Sequence, residues 1–338
     1  MALLLAGAAM MVATAAAVSL LMALPAVALA ETAGNVNAAG RARAWLAALI
    51  VPPLCGIAAA TWGIALHAQG IGASPHIGGL RPHLCLVPLR VAPSGQFTLR
   101  LLAWLALLLM VAAAVRVVAA AAKSHLLRRM VVASGGPLGG RADELLVELG
   151  RPASFTAGLL RPVVVVATSL AAALDEEALE AILAHERAHA RRRDNVRWLI
   201  AEGCATLLAP MPTAWYFRAR LREAMEEAAD DAALEAGVSP DDLCAALQVA
   251  GRAADRRPHA PTMASLLIPG PALPEQRATR LRALDPERVR SARGRGRWHA
   301  WAAAAVGLLV VAALLLAARQ TVEDSLYCAA EQLLRVVG

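Results

Sequence analysis

Residues 185–189 read His-Glu-Arg-Ala-His, the HExxH spacing of a catalytic zinc site. On a helix, residues four positions apart lie on one face, with Cβ atoms roughly 5–6 Å apart. The imidazoles of His185 and His189 can then both bind one zinc ion at about 2.0–2.1 Å. Glu186 lies beside them and can act as the general base that takes a proton from an attacking water. The pattern therefore predicts metal-assisted hydrolysis.

An acidic run further along the chain offers a third ligand. Glu223, Glu226 and Glu227 fall on one predicted helix, and two histidines with one glutamate form a known catalytic zinc set. Alone, such a run is more typical of a solvated helix face. A metzincin site fits less well, because its further Gly and His positions are held by Arg192 and Asn195. The many charges around the motif also argue against a site buried in lipid.

The elements that must position these residues are mostly helical. Asp175 can cap a helix that carries both histidines, and Gly237 is a natural stop for the helix with the acidic run. Four β-branched residues after a proline, Val163–Val166, predict a short strand. Residues 254–298 give only weak signals. Four helices are predicted in this region, at about residues 175–194, 196–208, 214–236 and 240–253.

Composition places the chain in a membrane. Its hydrophobic fraction is 58%, above the roughly 45–50% of a soluble globular chain. The excess lies in four stretches that can each supply the roughly 20 residues of a span. Ala28-Leu29-Ala30 resembles a signal-peptidase site, but no basic residue precedes Arg41, which favours an uncleaved first span. The predicted spans are residues 2–29, 44–66, 99–122 and 299–318.

Basic residues predict the orientation of these spans. Lys123, Arg128 and Arg129 follow the third span, and five arginines between Arg288 and Arg297 precede the fourth. By the positive-inside rule, residues 123–298 should be a cytoplasmic domain of a multi-pass protein of the inner (plasma) membrane, with residues 319–338 as a short outer tail. The net charge of +7 then fits contact with lipid headgroups. No aromatic–basic pattern supports direct binding of nucleic acid.

The five cysteines do not suggest a second metal site. None of them forms a CxxC pair, so no thiolate zinc site is predicted. Cys85 and Cys328 both fall on the predicted outer side, where a disulfide can form. The sequence leaves their pairing open.

These motifs together resemble the BlaR/MecR-type membrane metallopeptidases and, more distantly, the CAAX prenyl endopeptidase and HtpX group. The resemblance implies a mainly α, multi-span helical membrane protein with an inserted α+β, zincin-like (gluzincin-like) metallopeptidase domain and a Zn2+ cofactor. It covers roughly residues 123–285 and rests on residues 152–166, 179–189, 192–195 and 220–232.

The resemblance also implies roles for individual residues. Glu226, in a motif completed by Ala229 and Asp230, is the implied third zinc ligand. Asp230 is implied to orient a ligand histidine, and Asp194 to play a similar part. The predicted strand resembles an edge strand that pairs with extended substrate. Its residues are Val163, Val164, Val165 and Val166.

The predicted function is that of a membrane-anchored zinc endopeptidase that cuts a protein at the cytoplasmic membrane surface, such as a transcriptional repressor or the chain itself. Tyr216 and His259 are the candidates for stabilising the oxyanion. Only Arg319–Gly338 follow the fourth predicted span, where antibiotic-sensing relatives carry a penicillin-binding domain, so β-lactam sensing is not expected. The alternative is a non-catalytic membrane signal transducer or scaffold with a structural zinc site, which requires four protein ligands.

Overall fold

Three long apolar helices form the first part of the fold. The computed structural model describes residues 2–23, 27, 38–68, 93–254 and 274–283. Within these ranges, three helices are long and apolar enough to cross a membrane. They are α1 (Ala2–Leu21), α2 (Ala38–Ala68) and α3 (Pro93–Ser134).

The bounds of these helices differ from the predicted spans. The first helix ends at Leu21 and not near residue 29, whereas α2 and α3 both extend beyond the predicted ranges at each end. The 42 residues of α3 correspond to about 63 Å, roughly twice the hydrocarbon thickness of a bilayer. One end of α3 must therefore project beyond the membrane. The predicted fourth span at residues 299–318, Cys85 and Cys328 lie outside the described residues.

A small sheet of mixed direction follows α3. Gly139 and Gly140, with φ of 62° and 77°, form the tight turn between its first two strands. The strand order is β1-β2-β4-β3, with β2 and β4 parallel and the other two pairings antiparallel. The strands are β1 (Gly136–Leu138), β2 (Arg141–Val147), β3 (Ser154–Ala157) and β4 (Val163–Ala167).

The valine run does form the predicted strand, but its prediction as a substrate-binding edge is wrong. β4 lies in the interior of the sheet, bonded to β2 on one side and to β3 on the other. Val163, Val164, Val165 and Val166 are all buried. An unbroken apolar run is typical of a strand covered on both faces, whereas a half-exposed strand alternates. Among the residues that the structure describes, the free edges of the sheet are β1 and β3.

Six helices complete the described fold. All four helices predicted in this region are present within a few residues of the expected ends. Asp175 caps the motif helix by accepting a hydrogen bond from the Ala178 N–H at 2.8 Å. The left-handed Arg193 (φ 51°) separates that helix from the next. The helices are α4 (Thr168–Ala171), α5 (Glu176–Arg192), α6 (Asp194–Leu207), α7 (Pro212–Glu235), α8 (Pro240–Ala254) and α9 (Pro274–Ala283).

Two buried apolar clusters hold the motif-bearing helices in place. One joins α5 and α7 to α8 and α9 through Ile182, Leu234, Leu243 and Leu281. The other joins α6 and α7 to α1 and α2, with Trp45 stacked on Phe217 at 5.7 Å between ring centroids. Burying one such large apolar side chain contributes about 1.5–3 kcal/mol. Helix α7 takes part in both clusters and so links the apolar spans to the motif helix.

Candidate metal centre

Helices α5 and α7 bring three ligand atoms together. His185 and His189 lie four residues apart on α5, and their Nε2 atoms are 3.1 Å apart. Glu226 on α7 places its Oε2 atom 3.7 Å from the first of these nitrogens and 4.0 Å from the second. Within the described residues, these three side chains form a group able to hold a metal ion.

The spacing of these atoms fits zinc. A circle through the three atoms has a radius of about 2.1 Å, the length of a zinc–nitrogen bond in proteins. The two rival glutamates point elsewhere: Glu223 pairs with Arg220 at 2.5 Å, and Glu227 pairs with Arg41. The donor set of two imidazoles and one carboxylate is also that of catalytic zinc sites. The residues present therefore fit a zinc ion with an open fourth position.

A carboxylate stands behind each histidine. His189 Nδ1 lies 2.8 Å from Asp194 Oδ2, within hydrogen-bond distance. His185 Nδ1 lies 3.0 Å from Asp230 Oδ1, although the ring is turned away from a linear hydrogen bond. Both aspartates are almost fully buried. Because a carboxylate on Nδ1 fixes the ring and leaves Nε2 to face the metal, Asp194 orients His189, and Asp230 lies close enough to do the same for His185 after a small rotation of the ring.

Arg277 on α9 joins this network, and no sequence pattern pointed to it. Its guanidinium contacts both oxygens of Asp230, with Nε and Nη2 distances of 3.0 and 2.6 Å. Its Nη1 lies 3.3 Å from Glu226 Oε2. The Arg277 side chain is only 13% exposed. One buried cation therefore fixes the third ligand candidate and the carboxylate behind His185 at the same time.

The electrostatics of the cluster favour a cation. Burial lowers the pKa of His185, but Asp230 and Glu226 outweigh it and raise the pKa to about 9. Burial raises the pKa of Glu226, yet His185, His189 and Arg277 hold it well below its ordinary value. The pKa of Asp230 is also lowered, with burial opposing the effect of His185 and Arg277. The carboxylates stay ionised and favour positive charge at the imidazoles. Bound protons supply that charge in the metal-free protein, and a divalent metal ion would supply it by displacing them.

Strand β3 holds the carboxylate of Glu186. The Ser154 hydroxyl donates to Glu186 Oε1 at 3.0 Å, and the Thr156 hydroxyl lies 3.1 Å from Oε2. Asn195, next to the buried Asp194, donates to the Thr156 carbonyl at 2.8 Å and so ties α6 to the same strand. Sequence reasoning missed this strand because its four residues carry no periodic signal.

The two candidates for the oxyanion donor are not linked to this cluster by any described contact. Tyr216 packs edge-on against Trp45, with ring centroids 5.7 Å apart, on the side of α7 that faces α2. His259 lies outside the described residues.

Long apolar helices joined to a cluster of two histidines and a glutamate are the arrangement of a membrane-associated metallopeptidase-type protein. The sequence model of the BlaR1 peptidase M56 family matches residues 91–240, which include all three ligand candidates. This match over residues 91–240 supports the assignment to a BlaR/MecR-type family that the motifs suggested. The family indicates a peptidase that is membrane-associated and generally metal-dependent. No curated protein and no solved structure gives a significant match.

Proposed function

We propose that the protein is a zinc-dependent endopeptidase whose zincin-like site is anchored to the membrane by its spanning helices. The observation that carries this proposal is the convergence of His185, His189 and Glu226 beside Glu186. When bound, zinc would polarise the peptide carbonyl and make an attacking water more acidic. His185, His189 and Glu226 would hold the ion, which leaves Glu186 free as the base.

Glu186 is held for the role of general base. Its carboxylate accepts hydrogen bonds from Ser154 and is within reach of the Thr156 hydroxyl, so the side chain has one preferred orientation. Glu186 follows a ligand histidine directly on α5 and is buried. A carboxylate fixed at this point can take a proton from water and later pass it to the leaving amine.

The free edge of β3 offers a place for the substrate backbone. The Ala167 N–H donates to the Ala153 carbonyl, and antiparallel pairs alternate between bonded and non-bonded, so Phe155 and Ala157 bond to β4. The backbone groups of Ser154 and Thr156 therefore face outward. The Asn195 side chain already donates to the Thr156 carbonyl. The N–H groups of Ser154 and Thr156 and the Ser154 carbonyl then remain for an extended peptide.

The metal site lies on one side of the bundle formed by the long apolar helices. Ser19, at the end of α1, bonds Thr213 at 2.7 Å. Arg41, at the start of α2, pairs with Glu227, and Val131, near the end of α3, packs on the sheet. The start of α2 and the end of α3 therefore lie on the side of the bundle that carries the metal site, whereas the end of α1 packs against the start of α7. Together with the arginine-rich flanks, this supports a cytoplasmic site in the inner (plasma) membrane, where a repressor or the chain itself is the substrate.

The alternative is a membrane signal transducer or scaffold with a structural zinc site. Structural sites fill all four positions with protein ligands. The described residues supply three, together with a carboxylate positioned as a base. This count favours the peptidase.

The test compares wild type, Glu186→Gln and His189→Ala in native membranes and as purified protein. Wild type and Glu186→Gln should each hold about one zinc per chain, and His189→Ala should hold none. Cleavage of the chain or of a cytoplasmic partner should require Glu186. Identical fragments and partner levels in wild type and Glu186→Gln, with zinc bound in both, would favour the transducer over the peptidase.

A further inference from the structure

The hairpin formed by α6 and α7 reaches the middle of the spans. Leu207, near its tip, is buried in a cluster with Met10, Met11 and Ala60. Leu109, Met110 and Ala113 of α3 pack around this cluster. Met10 and Met11 lie halfway along α1, and the three α3 residues lie inside its charge-free stretch. The tip of the hairpin is therefore level with the interior of the three spans.

Both arms of the hairpin follow the spans over several turns. On α6, Gly203 packs so closely on α3 that an added Cβ would lie 2.7 Å from Val117 Cγ2. Ala201, Ala205 and Leu208 belong to one buried cluster with Trp45 and Leu49 of α2. On α7, the Ser19–Thr213 hydrogen bond and the stacking of Phe217 on Trp45 continue the contact.

The sequence of the hairpin suits an apolar surrounding. Residues 203–217 contain no Asp, Glu, Lys or Arg. At seven or eight residues per arm, the charge-free part is about 10–12 Å deep, which is less than one leaflet of roughly 15 Å. Exposed side chains on this hairpin include Pro210, Pro212, Ile200 and Tyr216. The hairpin can therefore enter one leaflet and return, but it cannot cross the membrane.

A collar of charged and aromatic residues marks where the charge-free part ends. Glu202 on α6 accepts from Arg218 Nε on α7 at 2.5 Å, and Arg116 of α3 lies 3.6 Å from the same carboxylate. The Arg218 guanidinium lies 5.3 Å from the ring centroid of Trp198 and 5.8 Å from that of Trp215. Tryptophan and arginine are typical of the headgroup level of a bilayer. Arg116, which ends the charge-free stretch of α3, thereby has an acidic partner.

We propose that the α6–α7 hairpin inserts its tip, residues 203–217, into the hydrocarbon of one leaflet, with the Glu202–Arg218 collar at the headgroups. Glu226 lies eight residues beyond Arg218 on α7, about 12 Å along the helix. The metal cluster then sits just above the headgroups, and the substrates within its reach are segments close to a membrane surface. The insertion rests on packing and charge and does not depend on catalysis.

The test measures the depth of single nitroxide labels on the full chain in phospholipid vesicles. The five native cysteines are replaced by serine, and zinc content shows that this background is folded. Pro210→Cys places the label at the tip, Leu108→Cys at the exposed centre of the charge-free stretch of α3, and Glu176→Cys at the exposed start of α5. Pro212→Cys, at the exposed start of the other arm, gives a second reading if Pro210→Cys does not fold.

Relative collision rates with oxygen and with a water-soluble nickel chelate report the depth. We expect Pro210 and Pro212 to show a high oxygen-to-nickel ratio close to that of Leu108, and Glu176 to show the low ratio of a site in water. A ratio at Pro210 equal to that at Glu176, or intermediate as at the headgroup surface, overturns the insertion. Because none of these labels touches the metal cluster, loss of peptidase activity in every variant leaves the result readable.

Discussion

Asp194 provides a sharp test of how the second ligand histidine is held. Its carboxylate is 3% exposed and lies 2.8 Å from His189 Nδ1. Arg192 and Arg197 contact the same carboxylate at 2.6 and 3.2 Å, so the group stays in place if only its charge is changed. Asp194→Asn preserves the size of the side chain and removes its charge. The change should therefore weaken zinc binding without removing a ligand.

The expected magnitude for zinc binding follows from the contact between Asp194 and His189. Loss of a carboxylate behind a ligand histidine typically weakens metal binding 10–100-fold, or about 1.4–2.7 kcal/mol. Competition of the purified full chain with a fluorescent zinc chelator measures the dissociation constant. Asp241→Asn is the matched control, because Asp241 is 82% exposed and its nearest ion-pair distance, to Arg282, is 3.8 Å. A folded Asp194→Asn protein with an unchanged dissociation constant would refute the idea that Asp194 orients His189.

Two further predictions concern the charges around α9. Arg277→Met should destabilise the metal-free protein by about 3–5 kcal/mol, since Asp230 then stays buried without its cation. Arg282→Met, on the same helix but exposed, should cost less than about 1 kcal/mol; equal losses in urea unfolding contradict the buried role of Arg277. Burial is the main cause that raises the pKa of Asp231 from 3.8 to about 6. The folded protein therefore has its full stability below about pH 4, where Asp231 is protonated, and loses stability as the pH rises through 6. The free energy of unfolding of Asp231→Asn, relative to that of wild type, should therefore increase by up to about 3 kcal/mol from about pH 4 to pH 7. A difference that does not depend on pH would count against this prediction.

The local parts of the site were predictable from the sequence because they depend on one helix. Four-residue spacing puts His185 and His189 on one face whatever surrounds the helix, and Asp175 begins that helix by a short-range hydrogen bond. The long charge-free stretches predicted the spans because hydrocarbon excludes charge over a fixed thickness. Composition and periodicity therefore determined the motif helix, the mainly helical class and the three described spans.

Only the tertiary structure decided how distant segments meet. By residue type the three glutamates on α7 were equal candidates, and only the family resemblance pointed to Glu226. The fold shows the physical reason for that choice, because arginines hold Glu223 and Glu227 away from the two histidines. The valine run predicted a strand, but its place inside the sheet is set by β2 and β3, whose sequences carry little pattern of their own. The role of Arg277 and the depth of the α6–α7 hairpin arise in the same way. Each depends on side chains that are far apart in the chain. A local sequence pattern does not specify which distant surface will pack against that segment.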